Sequence, residues 1–214
     1  MTFWELYGQK LIVAIGVHFL YVLVSVSIGF FAALVLGIFL SRVPGIAKGV
    51  IPLISVFQTI PGIVFIALLF LWLGMVPAAA VAALAIYAIF PILKNTYVGL
   101  LSVPDSLLEA ARGCGMSKMQ SLFEVELPLA TPSIIGGLRM STVYTVSWAV
   151  LASMIGLGGL GEFIYIGIAT NNNALIIAGA VPSGIMAITL SLLIDFVKRR
   201  LTRGPEKEVA ANDK

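Results

Sequence analysis

Long stretches without a formal charge are the feature of this sequence that most constrains its fold. Leu11–Leu40 contains 30 consecutive residues without Asp, Glu, Lys or Arg, and Gly49–Leu93 contains 45. A helix rises about 1.5 Å per residue, so about 20 apolar residues cross the hydrocarbon core of a bilayer. Charged residues make up 11% of the chain, against about 25% in a typical soluble domain. The sequence therefore predicts an all-α integral membrane protein embedded in a lipid bilayer.

The same composition excludes several other classes of protein. A soluble enzyme, a nucleic-acid-binding protein and a secreted disulfide scaffold do not carry uncharged stretches of this length. The net charge of +3 fits basic residues at the cytoplasmic ends of membrane helices, so no nucleic acid is expected as a partner. A single cysteine, Cys114, allows no intrachain disulfide, and a single histidine, His18, cannot build a metal site alone. We expect this chain to bind no metal and no cofactor.

The charges and the turn residues divide the chain into about five transmembrane helices. Two of them share the uncharged stretch 49–93, where the Gly74–Pro77 segment predicts a break. The remaining spans are predicted at Leu11–Leu40, Met140–Gly161 and Phe163–Ile194. Residues 1–197 then form one membrane domain, and residues 198–214 form a polar tail.

The basic residues predict which side of the membrane each end occupies. Five spans place the two termini on opposite sides. With the N-terminus outside, twelve of the thirteen Lys and Arg residues lie on or near the cytoplasmic side, and only Lys10 lies outside. This bias follows the positive-inside rule. We therefore expect an outside N-terminus, a cytoplasmic C-terminus and a cytoplasmic location for the polar stretch 94–130.

Within this polar stretch, two short amphipathic helices are predicted around a glycine corner. Gly113 and Gly115 end the first helix, because glycine accepts the left-handed conformation found at helix ends. The segment Ser117-Lys118-Met119-Gln120 has the form of a capping box and opens the second helix, which is predicted to stop before Leu127-Pro128. From physical reasoning alone, these two helices are equally compatible with a loop that packs on its own bundle and with an element that docks on a partner protein.

A sequence pattern in this stretch favours the docking element. Glu109-Ala110-Ala111, Gly115, Val125 and Leu127-Pro128 match E-A-A-x3-G-x9-[IV]-x-L-P. The pattern resembles the EAA motif in the last cytoplasmic loop of permease subunits of binding-protein-dependent ABC importers. The resemblance covers about residues 15–197. It implies that the EAA loop, about residues 100–130, docks on an ATPase through Glu109, Ala110, Ala111, Arg112, Gly115, Lys118, Leu127 and Pro128. For Arg112 and Lys118, a charge that faces solvent or lipid headgroups is the alternative.

Further segments narrow the resemblance to one subfamily. Gln58-Thr59-Ile60-Pro61, the stretch from Pro91 to Thr96 and the stretch from Gly156 to Gly161 are similar to permeases for osmoprotectants. Their substrates are glycine betaine, carnitine, choline and related quaternary amines. Permeases of methionine importers share the five-helix plan and a comparable glycine-rich segment. An importer for methionine or another amino acid is therefore the alternative.

The resemblance also implies a fold and a set of partners. It implies the MetI-like fold of type I importers and a location in a bacterial or archaeal cytoplasmic membrane. Two P-loop ATPase subunits, a second permease chain (identical or paralogous) and a separate extracytoplasmic binding protein would complete the transporter. ATP-Mg would bind to the ATPases, since the sequence contains no Gly-Lys dipeptide and hence no Walker A motif. This chain is therefore expected not to be an enzyme.

Polar and aromatic residues within the spans predict where a substrate passes. Such residues tend to face a bundle interior or a cavity, and an aromatic face attracts a quaternary ammonium. The predicted pathway residues are Gln58, Thr59, Pro61, Ser141, Tyr144, Thr145 and Trp148. At each position, hydrogen bonding between helices or ordinary packing is the alternative. The glycine-rich segment predicts a re-entrant turn or an outer gate at Gly158, Gly159, Gly161 and Glu162.

Two other kinds of transporter are alternatives from outside the ABC class. An ATP-independent channel would be favoured by a ring of charges or a carbonyl filter sequence, and the sequence shows neither. A secondary transporter would be favoured by two equal inverted repeats, which five helices cannot form within one chain. A requirement for a P-loop ATPase distinguishes the importer from both.

Overall fold

The computed structural model describes residues 2–201, apart from the side chains of Phe57 and Ile155. All regular structure in this range is helical. The α-helices in chain order are α1 (Phe3–Arg42), α2 (Pro44–Phe57), α3 (Gly62–Leu73), α4 (Pro77–Leu101), α5 (Asp105–Gly113), α6 (Lys118–Gln120), α7 (Leu127–Ala152), α8 (Leu160–Ala169) and α9 (Asn173–Leu201). Two π-helical segments, Ser121–Glu126 and Ser153–Leu157, flank α7. Within residues 2–201, four continuous helices are long and apolar enough to cross a membrane: α1, α4, α9 and the helix from Lys118 to Ala152 that contains α7.

The predicted second span is present as two short helices, α2 and α3. They contain 14 and 12 residues, which corresponds to about 21 and 18 Å of helix. The chain breaks between them at residues 58–61, where Pro61 has no N–H to donate and precedes the first turn of α3. The next predicted break also occurs, since Gly74 has a φ of +81° between α3 and α4. Four long helices and this divided segment account for the five predicted spans.

The sequence predicted that the second helix of the polar stretch stops before Leu127-Pro128, and this prediction is wrong. Helix α6, the first π segment and α7 are continuous from Lys118 to Ala152. A proline inside a plain α-helix clashes with the preceding turn. The π turn just before it is wider, with the Leu127 N–H bonded to the Leu122 carbonyl five residues back. The span predicted to begin at Met140 is therefore part of a helix that begins much earlier.

The predicted last span, Phe163–Ile194, is also divided. Helix α8 ends at Ala169 and α9 begins at Asn173. Asn171 has a φ of +52°, and the Asn172 Oδ1 accepts the Ala174 N–H at 3.0 Å, capping α9. Helix α9 reaches Leu201, so the first four residues of the predicted polar tail are helical, and residues 202–214 lie outside the described part of the chain.

Helix α4 lies at the centre of the bundle and packs most extensively on α1 and α7. Small residues allow the close approach, as is usual between membrane helices. Ala83 and Ala88 of α4 are buried. A Cβ atom added to Gly29 of α1 would lie 2.7 Å from the Ala88 Cβ, and one added to Gly137 of α7 would lie 2.9 Å from the Pro91 carbonyl oxygen.

Neighbouring glycines on α7 provide a direct test of this packing. Gly137→Ala is expected to lower stability by about 1–3 kcal/mol, because the added methyl overlaps the backbone of α4. Gly136→Ala is the matched control, since nothing lies within 4 Å of its Cβ position. Thermal unfolding of the purified chain in detergent measures both effects. Equal unfolding midpoints for the two variants would contradict the close packing of α4 on α7.

Candidate functional site

Residues 105–126, here termed the knuckle, turn sharply after α5. The Met116 N–H bonds to the Ala111 carbonyl at 3.1 Å, and the Gly115 N–H bonds to the Arg112 carbonyl at 3.0 Å. With a φ of +77° at Gly115, these bonds form a Schellman motif. The predicted corner therefore lies at Gly115, whereas Gly113 belongs to the last turn of α5.

The other side of the corner is fixed by side chains. The Ser117 N–H bonds to the Gln120 Oε1 at 2.9 Å, and the Gln120 N–H bonds to the Ser117 Oγ at 3.3 Å. This is the predicted capping box. Backbone bonds before the corner and side-chain bonds after it hold α5 and α6 at a defined angle.

Most residues of the predicted ATPase-docking set are exposed. Ala111 is buried and Leu127 is half-buried, while the exposed members are Glu109, Ala110, Arg112, Gly115, Lys118 and Pro128. The knuckle also exposes three large apolar side chains, Leu107, Met119 and Phe123. Apolar side chains exposed among charged ones are typical of a surface that contacts another protein. Exposed apolar residues also occur along the membrane-spanning helices, so the docking role of the knuckle stays a prediction.

An ion pair that the sequence did not reveal holds the knuckle to α1. Nη2 of Arg42, the last residue of α1, lies 2.7 Å from the Glu126 Oε2. The Glu126 side chain is only 7% exposed, and its other oxygen accepts a hydrogen bond from the Ser121 Oγ at 3.4 Å. The two charged residues are 84 positions apart, so neither periodicity nor a local motif signals the contact.

A second site is a pocket that opens on the surface of the bundle between the end of α2, α4 and α7, and is here termed the aromatic cavity. Its volume is about 300 Å³, and its lining residues are Gln58, Tyr87, Pro91, Tyr144, Ser147 and Trp148. The rings of Tyr87 and Trp148 stack with centroids 5.1 Å apart and an angle of 25°. The Tyr87 hydroxyl donates to the Ile60 carbonyl at 3.0 Å, which holds α4 to the break between α2 and α3.

The structure brings three of the seven predicted pathway residues together at this cavity: Gln58, Tyr144 and Trp148. Ser141 and Thr145 are instead buried. Ser141 donates to the Ala88 carbonyl of α4, and Thr145 donates to the Ser141 carbonyl one turn earlier in α7, each at 2.8 Å. These two positions fit the alternative of hydrogen bonding and packing. Thr59 and Pro61 lie in the exposed break before α3. Sequence reasoning missed Tyr87, although it lies one turn before Pro91, the first residue of a stretch that carried the subfamily resemblance.

The predicted outer-gate residues form the turn into α8. Gly158 and Gly159 have φ values of +73° and +104° and connect the second π segment to α8. Gly161 is buried directly against the Val150 carbonyl of α7, so a Cβ atom does not fit there. Glu162 is exposed in the first turn of α8, where a carboxylate is favoured by the helix dipole.

These features define a multi-pass membrane protein with an exposed, sharply turned knuckle and a surface pocket lined by aromatic rings. The family model for "Binding-protein-dependent transport system inner membrane component" matches residues 11–207. The chain therefore belongs to this family of transporter permeases, as its EAA pattern predicted. Membership implies that it works with an ATPase, a substrate-binding protein and a second permease.

Individual relatives agree with this assignment. The chain is 39% identical to the glycine betaine/carnitine/choline transport system permease protein OpuCB of Bacillus subtilis (strain 168), over 94% of this chain and 93% of that protein. It is 38% identical to the osmoprotectant import permease protein OsmY of Salmonella typhimurium (strain LT2), over 86% of this chain and 79% of that protein. Among solved structures, the MetNI methionine ABC transporter in an inward-facing conformation matches with a TM-score of 0.78 and 24% identity, covering 95% of this chain and 98% of that one. The MetI-like fold is thereby confirmed.

Proposed function

We propose that this chain is the permease subunit of an ABC importer for a betaine-like quaternary amine. The observation that carries the proposal is the 39% identity, over nearly the full length of both chains, to a permease named for glycine betaine, carnitine and choline. Supporting this substrate class, the aromatic cavity presents Tyr87, Tyr144 and Trp148. A cation over an aromatic ring gains about 0.5–2 kcal/mol. A methionine importer is the weaker candidate, because the likeness to MetNI at 24% identity speaks only for the fold.

The proposed assembly has two permease chains, identical or paralogous, related by a two-fold or pseudo-two-fold axis. Two P-loop ATPases bind ATP-Mg and dock on the knuckles from the cytoplasmic side. A separate extracytoplasmic protein delivers the substrate. The N-terminus of this chain is outside, its C-terminus is inside, and the assembly lies in the cytoplasmic membrane of a bacterium. Hydrolysis takes place in the ATPases, so this chain is not itself an enzyme.

The knuckle supplies the mechanical coupling in this proposal. Its corner is held by the Schellman bonds at Gly115 and the capping box at Ser117, so an ATPase that moves α5 also moves α6. Helix α6 is continuous with α7 through the first π segment. Movement of the knuckle therefore reaches Tyr144 and Trp148, which α7 carries at the aromatic cavity. A rigid-body displacement of this kind switches the passage between inward-open and outward-open states.

The aromatic cavity suits a substrate that has to leave again. Its lining contains no Asp, Glu, Lys or Arg. Ring faces attract the ammonium group, and the Gln58 amide and the Ser147 hydroxyl offer hydrogen bonds to a carboxylate or hydroxyl of the same molecule. A full counter-charge would bind the cation more tightly and slow its release. Weak binding is compatible with passage, and selection then rests mainly on the delivering protein.

Transport by the complete importer in liposomes tests the function directly. Radiolabelled glycine betaine, choline and carnitine are offered from the binding-protein side, with unlabelled methionine as competitor. We expect ATP-dependent accumulation of a quaternary amine that excess methionine does not reduce. An ATPase subunit whose P-loop lysine is replaced serves as the control and should abolish accumulation. Accumulation of methionine instead would overturn the substrate class, and accumulation without ATP hydrolysis would favour a channel.

A further inference from the structure

Helix α1 is bonded to both of the π-helical segments that flank α7. At one end, Arg42 pairs with Glu126 at 2.7 Å in the segment Ser121–Glu126. At the other end, the Tyr21 hydroxyl donates to the Leu157 carbonyl at 3.0 Å in the segment Ser153–Leu157. π turns are rare and concentrate at functional sites, and here both are attached to the same neighbouring helix.

The attachment at the knuckle joins an Arg42 side chain that is 45% exposed to a Glu126 side chain that is 7% exposed. Glu126 is nearly buried and is bonded on both oxygens, one to Arg42 and one to Ser121. A charge-assisted bond of this length is about twice as strong as a neutral one. Removing the Arg42 guanidinium would leave a carboxylate of low exposure without its counter-charge, which is the costly case for an ion pair. The end of α1 is therefore expected to follow any displacement of the knuckle.

The attachment at the outer gate has a second component one turn earlier on α1. His18 is fully buried, and its Nε2 donates to the Val146 carbonyl of α7 at 3.2 Å. The other ring nitrogen lies 3.5 Å from where a Cβ of Gly159 would stand, so His18 lies close to the turn of the predicted gate. Tyr21 and His18 thus join α1 to the outer end of α7 and to the gate turn.

The part of α1 between the two attachments can transmit a displacement. Tyr21 and Arg42 are 21 residues apart in one unbroken helix, a distance of about 32 Å. That stretch contains no proline and packs closely on α4 at Gly29 and Gly37. We propose that α1 is a strut that makes the two π segments move together, so that displacement of the knuckle reaches the outer gate. Arg42, Glu126 and Tyr21 are its positioning residues. This inference rests on the proposed docking of an ATPase on the knuckle.

The test uses the assembled importer in liposomes and one reporter cysteine. Because Cys114 is the only cysteine of the chain, Cys114→Ser provides a cysteine-free background, and Glu162→Cys then reports on the gate. A membrane-impermeant maleimide labels this position with and without ATP and vanadate. The variants are Arg42→Gln, Glu126→Gln, Tyr21→Phe and the charge exchange Arg42→Glu with Glu126→Arg. Lys48→Gln and Tyr7→Phe are matched controls, since within residues 2–201 Lys48 makes no ion pair and the Tyr7 hydroxyl makes no hydrogen bond.

We expect ATP to change the labelling rate in the unaltered importer and in both controls. Each single variant at the attachments should retain its ATPase but lose most of that change, with substrate transported per ATP falling about 2-fold to 30-fold. The charge exchange should restore both the ATP-dependent change in labelling rate and the amount of substrate transported per ATP. An ATP-dependent labelling change that survives Arg42→Gln and Tyr21→Phe at full size would overturn the strut, as would loss of the ATPase from those variants. If the unaltered importer itself shows no ATP-dependent uptake, the proposed function fails, which is a separate result.

Discussion

Replacing Gly115 with leucine is expected to abolish ATP-dependent uptake while the chain still inserts into the membrane. Gly115 has a φ of +77°, and a residue with a Cβ pays about 1–2 kcal/mol to remain in that conformation. The corner relaxes toward helical geometry, the Schellman bonds to Ala111 and Arg112 are lost, and α6 leaves its angle to α5. Uptake in liposomes and recovery of the ATPase with the purified permease both measure the effect. We expect ATP-dependent uptake and recovery of the ATPase to be lost together.

A second glycine two residues earlier is the matched control. Gly113 lies in the last turn of α5 with an ordinary helical backbone, and neither Gly113 nor Gly115 has an atom within 4 Å of its Cβ position. The two leucine substitutions therefore add the same side chain in open space and differ only in backbone conformation. Gly113→Leu should retain its ATPase and most of the transport. Normal transport by Gly115→Leu would argue against the knuckle as the coupling element.

Replacing Tyr144 with leucine is expected to reduce uptake of a quaternary amine about 2-fold to 30-fold, the range of a lost cation–π contact. The side chain is 49% exposed and lines the aromatic cavity, so its removal leaves the buried packing of α7 intact. Tyr144→Phe keeps the ring and should transport almost normally. Initial uptake rates over a range of substrate concentrations measure the difference. Equal initial uptake rates for Tyr144→Leu and Tyr144→Phe would show that the Tyr144 ring is not part of the substrate pathway.

The sequence predicted the helical class and most of the helix breaks because these depend on local chemistry. Uncharged stretches long enough to cross a bilayer can be recognised directly in the sequence. Glycine or proline between two such stretches breaks the helix within a few residues of its own position. The π segments were not predictable in this way. Whether a helix passes through Pro128 or stops before it depends on the width of the preceding turn, which composition does not encode. The break at Asn171–Asn173 was readable in principle, because a run of asparagines favours a turn and a helix cap.

The two sites differ in how far the sequence revealed them. The knuckle was located because its corner needs glycine at one position and its capping box needs fixed residue types three apart. The aromatic cavity was found only in part, since Ser141 and Trp148 are both compatible with a pathway in the sequence. Only the folded structure shows that Ser141 is bonded to a neighbouring helix while Trp148 stacks on Tyr87. The contact between Arg42 and Glu126 joins distant parts of the chain and left no local pattern.

The π turn at Ser121–Glu126 also affects how this chain tolerates insertions and deletions. A π turn holds one residue more than an α turn, and each residue of an α-helix advances the helix face by about 100°. Each residue of the wider π turn therefore advances the helix face by less than about 100°, so the turn absorbs its extra residue without turning the flanking helix. Deleting one residue of the segment would leave the direction of the knuckle about the axis of α7 nearly unchanged, but it would remove the wide turn that accommodates Pro128. Deleting one residue within α7 itself would instead turn the knuckle by about 100°. Chain length is therefore constrained at the π turn by the proline, and along α7 by the direction in which the knuckle faces its neighbour.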